Sequence, residues 1–158
     1  MAKIDRKALL ADSEAKLKFD ALHEKAKCMS ERLDCSVKAV AILCGVDYEV
    51  AHAALEKAGR RSGHGAYAHQ IKTAINDLGY RLINIKTADV IANYPGAHKN
   101  LQSITNHHPH RFNKVWRDGN NYCFFNATHV AAVINGELID WSIGRPMRVT
   151  SLYKVVKV

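Results

Sequence analysis

Between residues 33 and 45 the chain reads LDCSVKAVAILCG, and Val37, Val40, Ala41 and Cys44 recur there at the i, i+3, i+4, i+7 spacing of a single helical stripe. Gly45 supplies the stop, and Asp34 is a competent N-cap, so a short helix opens at Cys35. Upstream, Ala15, Phe19, Leu22, Ala26 and Met29 make an apolar stripe that predicts one long helix over 5–32, in which Cys28 reads as a buried small hydrophobe. Downstream, Asp47 caps a helix over 48–58 that ends at Gly59, and Tyr67, Ile71, Ala74, Ile75 and Leu78 mark another over 66–78 that ends at Gly79. Tyr80 to Ile85 follows as a strand.

The second half of the chain changes its period. A short helical turn runs from Thr87 to Tyr94 and stops at Pro95-Gly96, and a helix over 97–106 is interrupted by His107, His108 and His110. Strands are then predicted at 111–116, 122–125, 129–134, 138–141 and around 148–156, with a turn at Asp118-Gly119-Asn120. Helices first and an antiparallel sheet after is an α+β order. The expectation is one domain over 1–158, with a helical half to about residue 94 and a sheet half from about residue 111.

Composition narrows the class. With 158 residues, 47% of them hydrophobic and 24% charged, the chain can build one packed core. No apolar run approaches the roughly 18 residues of a membrane span, and MAKIDRKALLADSE lacks the apolar region of a signal peptide, so a soluble, cytoplasmic protein is expected. Cys28, Cys35, Cys44 and Cys123 form no CxxC pair, which fits free thiols in a reducing compartment and argues against structural zinc. Adjacent His107 and His108 cannot share one face of a regular element, and Pro109 breaks the helix that would aim them. A polar loop is the reading there, with neither metal nor cofactor expected. The formal charge of +8 suits a polyanionic partner, either nucleic acid or an acidic protein. The stretch Arg60-Arg61-Ser62-Gly63-His64-Gly65 lacks the preceding strand and lysine spacing of a phosphate loop, and reads as a flexible connector or as the lining of a cleft.

Cys35 in a first helical turn sits where unpaired backbone N–H groups and the positive dipole end favour thiolate, although the neighbouring Asp34 charge opposes it. A base is needed, and residues 128–142 offer one. Asn135-Gly136 is a strong hairpin signal; as a two-residue turn it pairs Ile134 with Glu137, Val133 with Leu138, Ala131 with Asp140 and His129 with Ser142. His129 and Asp140 then become diagonal neighbours on one face, roughly 7 Å apart at Cβ, within reach of one hydrogen bond. Ser142 is the weaker candidate for the same role.

A helix-start cysteine in DCSVKAVAI (34–42), a strand-start histidine in HVAAVI (129–134) and an aspartate in LIDW (138–141) together resemble the papain-like cysteine peptidases. The likeness is nearest to compact members such as the bacteriocin-processing peptidases and NlpC-type amidases, and the chain is also similar to short, basic bacteriophage proteins. The resemblance implies Cys35 as nucleophile, His129 as general base and acid, Asp140 as orienter, a protein or peptide substrate, and hydrolysis through a thioester. One departure concerns the amide that many members carry shortly before the cysteine. Residues 29–34 are Met, Ser, Glu, Arg, Leu and Asp, which leaves the Cys35 N–H as one oxyanion donor and Ser30 or Arg32 as the other. A papain-like protein that only binds its partner, an acyltransferase and a basic nucleic-acid-binding protein are the alternatives.

Overall fold

The computed structural model describes residues 14–86, 119–125, 129–134, 137–140 and 151–158. Its described elements are helices α1 (Glu14–Cys28), α2 (Cys35–Cys44), α3 (Tyr48–Lys57) and α4 (Ala68–Asp77), then strands β1 (Tyr80–Ile85), β2 (Asn121–Phe125), β3 (Val130–Ile134), β4 (Glu137–Ile139) and β5 (Ser151–Lys157). The architecture is α+β, and the strands form one five-stranded antiparallel sheet in the order β1-β5-β2-β3-β4. No described helix is long and apolar enough to cross a membrane. The expected turn at 87–94, helix at 97–106, strand at 111–116, the three histidines at 107, 108 and 110, and Trp141 and Ser142 lie outside the described residues.

The helix α2 is buried nearly all round, with Ser36, Lys38, Ala39 and Leu43 enclosed along with the predicted stripe. It can be so because α3, α4 and strands β2 and β3 pack against it from several sides. Its end is fixed by Gly45, at φ 62°, and the Val46 N–H returns to the Ala41 carbonyl at 3.0 Å. Cys123, Phe125, Val130, Ala132 and Val155 from the sheet close the core with Val37, Val40, Leu55, Ile71 and Ile75. Tyr122, Phe124, Ala131, Val133 and Leu152 alternate to the opposite face and are buried as well.

Three expectations need correction. Helix α1 ends at Cys28, short of 32, because the Glu31 N–H turns back to the Ala26 carbonyl at 2.9 Å and Ser30 adopts φ 52°. In that last turn Ala26 takes the buried position and Cys28 is exposed, contrary to its reading as a core residue. Strand β1, placed by chain order with the helical half, is the sheet's edge and pairs with β5 from Tyr80 opposite Lys157 to Ile85 opposite Leu152.

The β3–β4 register is Ala132 with Ile139, Val133 with Leu138 and Ile134 with Glu137, as the hairpin signal predicts. It leaves two residues for the connection, Asn135 and Gly136, themselves outside the described set. Continued by one step, the register sets Asp140 opposite Ala131 and diagonal to His129.

Candidate active site

Cys35 is the first residue of α2, where the chain leaves Asp34 at φ −105°, ψ 22° and enters helix. Asp34 stands in the N-cap position but its side chain makes no cap bond. Its carboxylate is used elsewhere: Tyr48 donates its hydroxyl to Oδ2 at 2.8 Å, and the Lys38 ammonium lies 3.1 Å from Oδ1. Lys38 itself is buried, 3.2 Å from His23 Nδ1 and with its ammonium 4.7 Å from the centre of the Phe19 ring. This arrangement removes the objection that Asp34 would repel a thiolate, since its charge is offset within the same turn by Lys38. It also leaves the first-turn N–H groups beside Cys35 without a side-chain cap.

Across from that turn, the hairpin delivers His129 and Asp140. His129 Nε2 lies 2.8 Å from Asp140 Oδ2, and both side chains are largely buried, 10% and 4% exposed. With Nε2 engaged by the carboxylate, Nδ1 is the nitrogen that serves the thiol. The His129 ring and the Val130 backbone N–H are the groups that act on the Cys35 thiol to favour its thiolate.

Electrostatics follow from these contacts. Burial disfavours a charged thiolate, yet the bonds from His129 and Val130 outweigh it and hold the Cys35 pKa below its ordinary 9.0. Burial likewise disfavours imidazolium, but the Asp140 and Cys35 hydrogen bonds raise His129 to about 9. Both displacements favour one proton placement, on the ring and off the sulfur. The other two buried thiols behave oppositely: desolvation pushes Cys44 up to about 11 and Cys123 higher still.

The pair opens on a cleft of about 930 Å³. Ile71, Phe125 and Tyr153 make an apolar side, the last two in edge-to-face contact with centroids 5.5 Å apart. The other side is made by Gly59, Arg60 and Arg61 and by the run from His64 to Ala68. Of the two readings of residues 60–65, the cleft lining is the one the structure shows. Ser30 and Arg32 are not among the residues that line the cleft, so neither side chain is placed to supply the expected oxyanion donor.

The sequence reading thus names Cys35, His129 and Asp140, and the fold brings all three together; Ser142 is outside the described residues. It misses the Val130 N–H and the Tyr48–Asp34–Lys38 cluster. The Asp34/Lys38 spacing of four residues on a helix was the available signal for the latter. Comparison of the chain with protein-family models, curated proteins and solved structures returns no match.

Proposed function

We propose that the protein is a cysteine hydrolase of compact papain-like type, cleaving a peptide, isopeptide or related acyl bond with Cys35, His129 and Asp140. The observation that carries this is the line from the Cys35 sulfur through the His129 ring to Asp140 Oδ2, 2.8 Å from Nε2, at the edge of an open cleft. Helices followed by an antiparallel sheet, and the chain order Cys, His, Asp, support the same reading.

In the first half-reaction the Cys35 thiolate attacks the acyl carbon, forming the C–S bond. The tetrahedral oxyanion is stabilised by the Cys35 backbone N–H in the uncapped first turn of α2, a donor of the kind worth roughly 2.7–4 kcal/mol. Collapse breaks the bond to the leaving amine or alcohol, which takes the proton from the His129 imidazolium. In the second, water gives its proton to the His129 ring and adds to the thioester carbon. The C–S bond then breaks, the acid departs, and thiolate and imidazolium are restored. Asp140 holds the ring in the tautomer that presents Nδ1 to sulfur and stabilises it when charged.

The test uses a peptidyl vinyl sulfone and an activated peptidyl ester. The expected result is one adduct per chain, located at Cys35 by mass spectrometry, and ester turnover abolished in Cys35→Ala and in His129→Ala. Labelling spread over exposed thiols, or turnover indifferent to His129, would refute the reading and leave a binding protein.

A further inference from the structure

The wall of the cleft formed by residues 60–65 is basic and is held in a defined shape from behind. Glu31, with its side chain fully enclosed, accepts hydrogen bonds from Arg60 Nη1 at 3.2 Å, from Ser62 Oγ at 2.9 Å and from the Gly63 backbone N–H, and lies 2.7 Å from His52 Nε2. Burial disfavours the Glu31 carboxylate, but these donors together keep it ionised far below its usual range. One carboxylate therefore ties three residues of the loop to the helical core.

What the loop presents is more informative. Arg60 is 1% exposed in its side chain and is held by Glu31, whose oxygens lie 3.2 Å from Nη1 and 3.1 Å from Nη2, while its Nε has no hydrogen-bond partner. A buried donor left unmade costs free energy, so a guanidinium whose Nε–H is spare under a cleft wall is set for an acceptor that arrives with a ligand. Arg61 and His64 line the same wall and are exposed. At the far side, Lys72 lies 4.6 Å from the ring centre of Tyr153, which also lines the cleft. No aspartate or glutamate is among the described lining residues. Glu31 balances Arg60, which leaves Arg61 as the exposed positive charge on this wall, and such a charge concentrates anionic ligands and repels cationic ones.

We propose that residues 60–65 form a specificity subsite for a substrate carboxylate close to the scissile acyl bond, with Arg61 and His64 as the exposed contacts, Arg60 as the buried donor and Glu31 as the positioning residue. This rests on the cysteine hydrolase reading and names its substrate class, an acidic peptide. A planar, two-donor guanidinium matches a carboxylate better than a lysine would. The carboxylate has two sources, an Asp or Glu side chain and a free chain terminus.

The experiment compares matched peptidyl vinyl sulfones: one with Glu beside the warhead, one with Gln there, and a Gln reagent bearing an added free carboxylate terminus. Inactivation is read as second-order rates, with iodoacetamide labelling of Cys35 measured in parallel. The expected result is that at least one acidic reagent reacts about tenfold faster than the neutral one, the size of a single charge-assisted hydrogen bond. The reagent that gains identifies the source. Arg61→Gln, and roughly 0.5 M salt, should each cut that ratio severalfold, because an exposed cation is screened and removable. Equal rates for acidic and neutral reagents, with iodoacetamide still fast at Cys35, would overturn the subsite and spare the hydrolase. Slow labelling by every reagent would overturn both. An acidic preference unchanged in Arg61→Gln would overturn the assignment to this loop.

Discussion

Asp140→Asn tests the electrostatic core of the site. The change keeps size and an oxygen that can accept from His129 Nε2, but removes the charge. In the folded protein His129 is raised from an ordinary 6.5 to about 9 against the effect of burial. At about 1.4 kcal/mol per pH unit, that difference corresponds to about 3 kcal/mol of preference for imidazolium, shared between Asp140 and the Cys35 thiolate. Because the folded value lies above the unfolded one, this stability is fully present below pH 6.5 and is lost as the pH rises through about 9. Wild type should therefore exceed Asp140→Asn by about 1–3 kcal/mol in urea unfolding at pH 6, and the gap should narrow above pH 10. In ester hydrolysis the alkaline limb, set near pH 9 by His129, should move toward neutrality in the variant. A gap of equal size at both pH values, or an alkaline limb that stays in place, would refute the assignment of Asp140 as the partner that charges His129.

Alkylation at pH 7 should label Cys35 and the exposed Cys28 and spare Cys44 and Cys123, as read by peptide mass spectrometry; rapid labelling of either buried thiol in the folded protein would contradict the packing. Glu31→Ala leaves the Arg60 guanidinium buried without its counter-charge and should cost about 3–5 kcal/mol in chemical unfolding. Since Glu31 is held far below its ordinary 4.5, the wild-type advantage should be present above pH 4.5 and fall away on acidification. Phe124→Ala, at a ring 1% exposed in the sheet, should cost about 3–5 kcal/mol, whereas Leu17→Ala, at a position 66% exposed, should cost less than about 0.5 kcal/mol.

The residues that sequence located share one property: local rules fix them. The Asn135-Gly136 pair sets a register, and alternation then places His129 against Asp140 with no knowledge of the rest of the fold. Cys35 is likewise set by where a 3.6-residue period begins. What sequence did not reveal depends on distant pairing. Glu31 meets partners 21 to 32 positions away, and no periodicity marks a carboxylate destined for complete burial. Strand β1 finds β5 across more than 60 residues, a choice that the strand pattern of either segment leaves open. Asp34 shows the remaining case. Its residue type suits an N-cap, but a buried tyrosine hydroxyl and lysine ammonium compete for the same oxygens and take them.

That competition bears on the proposed catalysis. An aspartate capping α2 would satisfy the very N–H groups beside Cys35 that a developing oxyanion needs, and would hold an unscreened negative charge next to the sulfur. Turned instead to Tyr48 and Lys38, Asp34 anchors the start of the helix to its neighbours while the first-turn donors stay without a side-chain cap. The thiolate then takes its stabilisation from the opposite side, from the His129 ring and the Val130 N–H, so that the proposed nucleophile and base are aligned only when helix and hairpin are docked. The docking surface is the packing of α2 on β3, with Val130 both in that core and at the sulfur. A chain with this division of labour has no reactive thiolate until it has folded, because in the unfolded state Cys35 and His129 are 94 positions apart and the thiol reverts to its ordinary value.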